Sequence, residues 1–237
     1  MLLTEQISGK KYKVVSEWSE ITLADAIEVS RISMPDKLKE IYENPTEEFL
    51  STCTDELFIS FSEFYKEVLA ILTDIPKDVA ENIDDLSLYK FFTERLLGFY
   101  LACKNCFPIN YEIKEIECFR HKGRRWYLPE SSEIMGKRIL LADEMAQPIV
   151  EAITLLKNGL AAMPLVISIL CRADKENYDE KIIIGRSKQF KSLTMNYVWE
   201  VFFCLTTLLN KPILNSNGYF QEVVRIVKQE QRLINQD

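Results

Sequence analysis

The sequence contains few glycines and only one histidine. Seven glycines among 237 residues argue against long flexible linkers and against the Gly-rich loops that cradle phosphate groups. A Ser-His-Asp or Cys-His catalytic arrangement would have to use His121, because such arrangements need an imidazole as the base. The chain also lacks the G-x-S-x-G, G-x-x-x-x-G-K-[ST] and H-E-x-x-H motifs. The sequence therefore predicts a protein that is not an enzyme and that uses no cofactor.

Long apolar runs and an excess of basic residues are missing as well. The longest apolar run, residues 160–171, is about half as long as a membrane-spanning helix, so we expect a buried helix and no membrane association. The start of the chain becomes polar after three residues, which predicts no signal peptide. Because phosphate contacts need an excess of Lys and Arg, the net charge of −7 argues against nucleic acid as a specific partner.

The remaining composition is that of an ordinary soluble globular protein. Hydrophobic residues make up 47% and charged residues 27%, and a chain of this length suits one large or two small domains. Cysteines without an export signal favour reduced thiols in a cytosolic folding compartment over disulfides. The six cysteines are Cys53, Cys103, Cys106, Cys118, Cys171 and Cys204.

Adjacent carboxylates occur at Glu47-Glu48, Asp84-Asp85 and Asp179-Glu180. Such pairs are the residues that general acid and base catalysis often uses. In an acidic protein, however, most carboxylates lie on solvated faces or at helix N-termini, where they interact favourably with the helix dipole. This second interpretation is preferred for all three pairs, so no catalytic residue is assigned.

The hydrophobic periodicity predicts a mainly α protein of the α+β class. The predicted architecture is a helical bundle with one or two short antiparallel β-hairpins, near residues 6–16 and 111–129. The clearest amphipathic helix is FSEFYKEVLAILTDIP at residues 61–76, where apolar side chains recur at three- and four-residue steps. Further helical runs are predicted towards the C-terminus, and the last of them, residues 219–237, is polar enough to fray or to dock on a partner.

Helix starts are indicated by capping residues. Thr22 is predicted to cap a helix with Asp25 as its capping-box partner. The Asp84-Asp85 pair is predicted to cap a long helix that runs into Cys103, with Pro108 closing it.

The order of these elements predicts two halves. Residues 1–107 would form an N-terminal hairpin and a helical half, and residues 108–237 a central hairpin and a C-terminal helical half; one compact domain is the alternative. Residues 68–78 are weakly similar to residues 165–175, which leaves an internal duplication of the sequence open.

The central hairpin is predicted from YEIKEIECFR, HKG and RRWYLPES, residues 111–131. Residues His121, Lys122 and Gly123 are expected to form its turn. Lys122, Arg124 and Arg125 form a local basic cluster in an otherwise acidic chain.

The cysteines next to this hairpin raise the question of zinc. Cys103 and Cys106 form a C-x2-C pair, and Cys118 and His121 form a C-x2-H pair; four such ligands suit a tetrahedral zinc site. Against this, the first pair lies at a predicted helix end without a following glycine, and the second has a sufficient explanation in the hairpin. We therefore assign no metal ligand and expect half-buried packing residues.

Two segments have the composition of interaction surfaces. The helical run WEVFFCLTTLL at residues 199–209 is apolar on more than one side, which is typical of a central core helix or of one shared with a partner. The RRWYLP arm, residues 124–129, combines Arg with aromatic residues, as interface anchors do. Packing of Trp126 on the protein's own helices is the alternative for this arm.

The order of several segments resembles a family of structural and assembly proteins from tailed bacteriophages, in particular crAss-like phages of Bacteroidetes. The resemblance covers most of the chain and lies in the order of short sequence features. These are a Trp before a Thr-capped helix, an I-L-T-x-I-P helix end, a Y-x-L-P strand and a helix that ends before an N-Y-D-E turn. The matching segments are residues 12–29, 68–89, 124–131, 161–190 and 198–205.

This resemblance implies a non-enzymatic virion structural protein of the neck or tail region. Its partners would be other phage virion proteins of the neck, tail or portal-proximal region, in a homo- or hetero-oligomer, and it would be found in the host cytoplasm during assembly and then in the virion. A tail assembly chaperone absent from the mature virion is one alternative. A small zinc-stabilised regulatory module, with Lys122, Arg124 and Arg125 beside the metal, is another. The C-x2-C pair, Cys103 and Cys106, and the C-x2-H pair, Cys118 and His121, depart from the family pattern.

Overall fold

The computed structural model describes residues 3–7, 10–43, 60–106, 108, 111–114, 116–128, 151–152, 154–173 and 180–209. The chain divides into two compact units, residues 1–110 and residues 111–237. The described part is mainly helical with short antiparallel strands, which confirms the predicted α+β class. The predicted division into domains at residue 107 stays a prediction, and the question of an internal duplication stays open.

The first unit begins with a β-hairpin and continues with helices. Its described elements are β1 (Leu3–Ile7), β2 (Lys10–Val14), α1 (Leu23–Arg31), α2 (Asp36–Glu43), α3 (Ser62–Leu72), α4 (Lys77–Ala80), α5 (Asp85–Phe91) and α6 (Leu97–Asn105). Strands β1 and β2 are antiparallel, with Leu3 opposite Val14. The hairpin predicted near residues 6–16 is therefore confirmed, although it begins earlier in the chain.

Helix α1 begins where the capping box was predicted. Thr22 Oγ1 accepts a hydrogen bond from the Asp25 N–H at 3.2 Å, and Asp25 Oδ2 accepts one from the Thr22 N–H at 3.0 Å. At the other end of α1, Lys104 Nζ donates to the carbonyls of Ser30 and Ile32. These bonds place a cation at the negative end of the helix dipole, which stabilises α1 against α6.

The core of the first unit is aromatic. Helix α3 buries Phe64 and Tyr65, and Phe64 makes edge-to-face contacts with Phe92 at 5.3 Å and with Tyr100 at 5.1 Å between ring centroids. This geometry suits the ring quadrupoles and adds to the gain from area burial. The predicted amphipathic helix is confirmed, and its stripe packs on α5 and α6.

Helices α5 and α6 are joined by a π-helical turn, Phe92–Leu96. Asp84 caps α5, since its carboxylate accepts from the Ser87 N–H at 2.9 Å. The prediction of one uninterrupted α-helix from this cap to Cys103 was wrong in its middle. Phe92 and Leu96, the first and last residues of the π turn, are both buried in the core.

The second unit combines a three-stranded antiparallel sheet with helices. Its described elements are β3 (Cys118–His121), β4 (Arg124–Tyr127), α7 (Met163–Leu170), β5 (Arg172–Ala173), α8 (Glu180–Phe190) and α9 (Met195–Leu209). Strand β4 is central, with Cys118 opposite Tyr127 on one side and Arg172 opposite Tyr127 on the other. The hairpin predicted within residues 111–129 is confirmed, but its first strand begins only at Cys118.

The apolar runs of the second unit form its helical core. Helix α7 buries nearly every residue, because it has apolar side chains on all sides. Helix α9 buries four residues: Val198, Trp199, Val201 and Leu205. It therefore packs in the core, which is one of the two interpretations that the sequence analysis gave for this run. In the described part of the chain, no helix has the length and apolar character needed to cross a membrane.

Some predictions fall outside the described residues. They are residues 139–150 of the helical run predicted over residues 139–159, the helix predicted over residues 219–237, the carboxylate pair Glu47-Glu48, Asp179, Pro129 and Cys53.

Candidate functional site

The most distinctive site of the second unit is the β3–β4 hairpin. Lys122 and Gly123 form its two-residue loop with φ values of 49° and 76°, and His121 pairs with Arg124. Positive φ at both loop positions is the type I′ geometry, which matches the twist of the two strands. The predicted three-residue turn is corrected accordingly: His121 belongs to the strand.

One face of the hairpin is anchored in an aromatic cluster. Trp126, only 2% exposed, contacts Phe190 edge-to-face at 4.8 Å between ring centroids. Phe119 stacks on Tyr197 at 5.4 Å, and the Arg186 guanidinium lies 5.4 Å from the centre of the Trp126 ring. These contacts bind the hairpin to α8 and α9, so its position on the second unit is defined by packing.

His121 adds a polar attachment. Its Nε2 lies 2.9 Å from the carbonyl oxygen of Gln189, and its ring stacks on Phe190 at 5.9 Å. Because a carbonyl oxygen only accepts hydrogen bonds, the proton must be on Nε2 in this arrangement. Ser192 Oγ is 3.5 Å from the same nitrogen. This nitrogen therefore serves to attach the hairpin to the end of α8.

The other face and the tip of the hairpin are basic. Arg120 and Arg125 lie directly opposite each other, and the exposed Lys188 and Lys191 flank the contact of Gln189 with His121. Four exposed residues, at the tip of the hairpin and at the end of α8 beside it, form what we call the basic surface: Lys122, Arg124, Lys188 and Lys191. The sequence had indicated Lys122 and Arg124, and the two lysines were missed because they lie more than 60 residues further along the chain.

The two units differ in charge. Residues 1–110 carry 11 Lys and Arg against 20 Asp and Glu, a net −9, whereas residues 111–237 carry 18 against 16, a net +2. The acidic character of the whole chain thus comes from the first unit, and the basic surface lies on the other.

The four residues of the zinc hypothesis are divided between the units. Cys103 lies in α6 and Cys106 ends that helix with a φ of 52°, both in the first unit, whereas Cys118 and His121 lie in β3 of the second. Burial, with the nearby Cys106 sulfur as a smaller cause, raises the pKa of the Cys103 thiol to about 12. Across the described ranges, no group of three or more His, Cys, Asp or Glu side chains is arranged to hold a metal.

A buried carboxylate that the sequence analysis missed lies at Glu200. This residue of α9 is only 4% exposed, and its Oε1 accepts from the Tyr111 hydroxyl at 2.7 Å and from the Lys114 N–H at 2.9 Å. Tyr111 also stacks on Phe203 at 5.9 Å. These contacts attach residues 111–114, which lie ahead of the hairpin, to α9. The signal was a single charge inside an apolar helical run.

Two buried arginines were missed as well. Arg186 Nη2 donates to the Ser168 carbonyl at 2.7 Å, and Arg172 Nη1 donates to the Cys171 carbonyl at 3.1 Å. Both guanidiniums therefore meet the C-terminal carbonyls of α7, where a cation is favoured by the helix dipole. They connect the sheet and α8 to α7.

No protein-family model matches the chain, and neither a curated protein nor a solved structure matches it. Function is therefore inferred from the hairpin, from the charge of the two units and from the resemblance of the sequence. The other predicted candidates contribute structure: Asp84 caps α5, and its pKa is lowered by the hydrogen bonds from Ser87, while Glu180 begins α8.

Proposed function

We propose that this protein is a non-enzymatic structural protein of a tailed-phage virion, located in the neck or tail region and acting by protein–protein assembly. The resemblance described above supports the phage assignment, because its segments occur in order over most of the chain. The alternative within the same class is a tail assembly chaperone that leaves before the virion is mature.

The observation that carries the assembly role is the anchored basic hairpin. Trp126 is buried against Phe190, while Lys122 and Arg124 are exposed at and next to the tip. A surface whose backbone is held by core packing loses little conformational entropy on binding, so more of the contact energy appears as affinity.

Quantitative mass spectrometry of purified phage particles tests the proposal. A neck or tail component is expected at several copies per particle, because such structures are symmetric assemblies. Detection in assembly intermediates but not in mature particles would select the chaperone alternative. Absence from both would contradict the phage assignment.

A further inference from the structure

We propose that the basic surface of the second unit docks on the acidic first unit of a second copy of this chain. The inference deepens the proposed function, on which it rests, by naming a partner for the assembly step. It starts from the distribution of charge, net −9 in one unit and net +2 in the other, and from the four exposed cations of the basic surface.

The cations of this surface lack a counter-charge within the described part of the chain. Lys122, Arg124, Lys188 and Lys191 form no ion pair there with a carboxylate. An external anionic surface would supply the opposite charge, so the arrangement favours docking over solvation alone.

The hairpin is held against the helices of the second unit. Its inner face is attached through Trp126 and Phe119 to the aromatic cluster, and His121 is bonded to the Gln189 carbonyl. Lys188 and Lys191, on either side of Gln189, therefore stay next to the hairpin tip. The positive charge is preorganised, and preorganised charge is effective in selecting a partner of opposite sign.

A protein surface suits this site better than a nucleic acid does. Ile184 is 67% exposed and lies one helical turn before Lys188 on the same side of α8. An exposed apolar side chain beside cations matches a protein interface, in which an apolar core is surrounded by a polar rim. It has no favourable partner in a phosphate backbone, which is bound by charge and hydrogen bonds.

The first unit of another copy has the required chemistry. In the segment from Asp74 to Asp85, five carboxylates accompany one lysine; Asp74, Asp78, Glu81 and Asp84 are exposed. A contact between two basic surfaces would bring like charges together, so the association joins unlike surfaces of the two copies. Such a contact closes into a ring or a reciprocal pair, or continues as an open chain.

Sedimentation velocity of the full chain tests the inference. We expect the chain to self-associate at about 0.05 M salt. At about 0.5 M salt the apparent dissociation constant should rise at least about tenfold, because salt screens exposed charge pairs. A protein that is monomeric at low salt over the whole accessible concentration range would overturn the inference. That result would leave the particle measurement of the proposed function unaffected, so the two failures are distinguishable.

A matched pair of triple variants identifies the surface. Arg124→Glu, Lys188→Glu and Lys191→Glu together should abolish the association, whereas Lys11→Glu, Lys37→Glu and Lys90→Glu change the net charge equally but make the first unit more acidic. The second set should associate at least as tightly as the parent chain. Equal weakening by both sets would contradict a specific role of the basic surface. The corresponding Gln variants of the first set, which avoid a carboxylate at the end of α8, should weaken association by a smaller factor.

Binding of duplex DNA is the other role of a basic surface, and a separate experiment distinguishes it from self-association. Fluorescence anisotropy with a duplex of about 20 base pairs, at the same low salt, should show no binding that depends on Arg124, Lys188 and Lys191. If the duplex binds through these residues while the protein does not self-associate, the basic surface serves nucleic acid and the inference is wrong.

Discussion

Arg120 and Arg125 occupy directly opposite positions on the β3–β4 hairpin, and both side chains are exposed. The pair places two positive charges on one face of a four-residue ribbon. Cross-strand neighbours of like charge repel each other, so a substitution at this pair can raise stability.

Replacing one member of this pair should stabilise the protein. Arg120→Glu converts a repulsive pair into an attractive one, and we expect the free energy of unfolding to rise by about 0.2–1 kcal/mol. Arg120→Gln, which only removes the repulsion, is the control and should give a smaller increase. Urea unfolding at low salt measures both changes, and a loss of stability in Arg120→Glu would refute the assignment of the pair as repulsive.

The hairpin loop predicts opposite effects at its two positions. Gly123 has a φ of 76°, and a Cβ added there would meet no atom within 4 Å, so the cost of Gly123→Ala is conformational and amounts to about 1–2 kcal/mol. Lys122→Asn should be stabilising, because Asn adopts positive φ more readily than Lys and Asn-Gly is favoured in type I′ turns. Thermal unfolding of the two variants checks the contrast. If both variants lowered the melting temperature equally, the loop geometry described here would be wrong.

The bond between Tyr111 and Glu200 predicts a dependence of stability on alkaline pH. Burial, followed by the hydrogen bond to Glu200 and its negative charge, raises the pKa of Tyr111. Because the folded pKa lies above the unfolded value of about 10, the stabilisation is complete below pH 10 and is lost as the pH rises towards the folded pKa.

Tyr111→Phe separates this effect from other titrations at high pH. The variant should lose about 1–2 kcal/mol of stability at neutral pH, because the hydroxyl that donates to Glu200 is gone. Its urea midpoint should then fall less steeply above pH 10 than that of the parent chain. Parallel curves for the two proteins would show that Tyr111 does not contribute to the alkaline loss.

The cysteines should differ in reactivity. Burial raises the pKa of Cys103 to about 12, and burial also raises the pKa of Cys171, so little thiolate is present at neutral pH for either residue. Cys118, which is half-buried in β3, should be alkylated much faster in the native protein.

Peptide mapping by mass spectrometry after brief iodoacetamide treatment measures these rates, with labelling in urea as the control for full access. Equal native rates at Cys103 and Cys118 would contradict the burial of Cys103. The same preparation decides the zinc alternative, since metal analysis giving well below one zinc per chain excludes it.

Much of the fold was predictable where the interactions are local. Thr22 and Asp25 form the capping box that the sequence indicated, and Asp84 caps the next long helix. The helix at Ser62–Leu72 buries the stripe expected from its spacing. In each case the deciding atoms lie within about one or two helical turns of one another along the chain, so the local pattern contains the necessary information.

The contacts between distant segments of the chain were decided only by the tertiary structure. Glu200 meets Tyr111 across 89 residues of sequence, and His121 meets Gln189 across 68. A single charge in an apolar run predicts that the charge needs a partner, but not which one, because the partner depends on how helices pack. The basic surface is of this kind: the sequence determined its hairpin cations, and packing of α8 against the hairpin added Lys188 and Lys191.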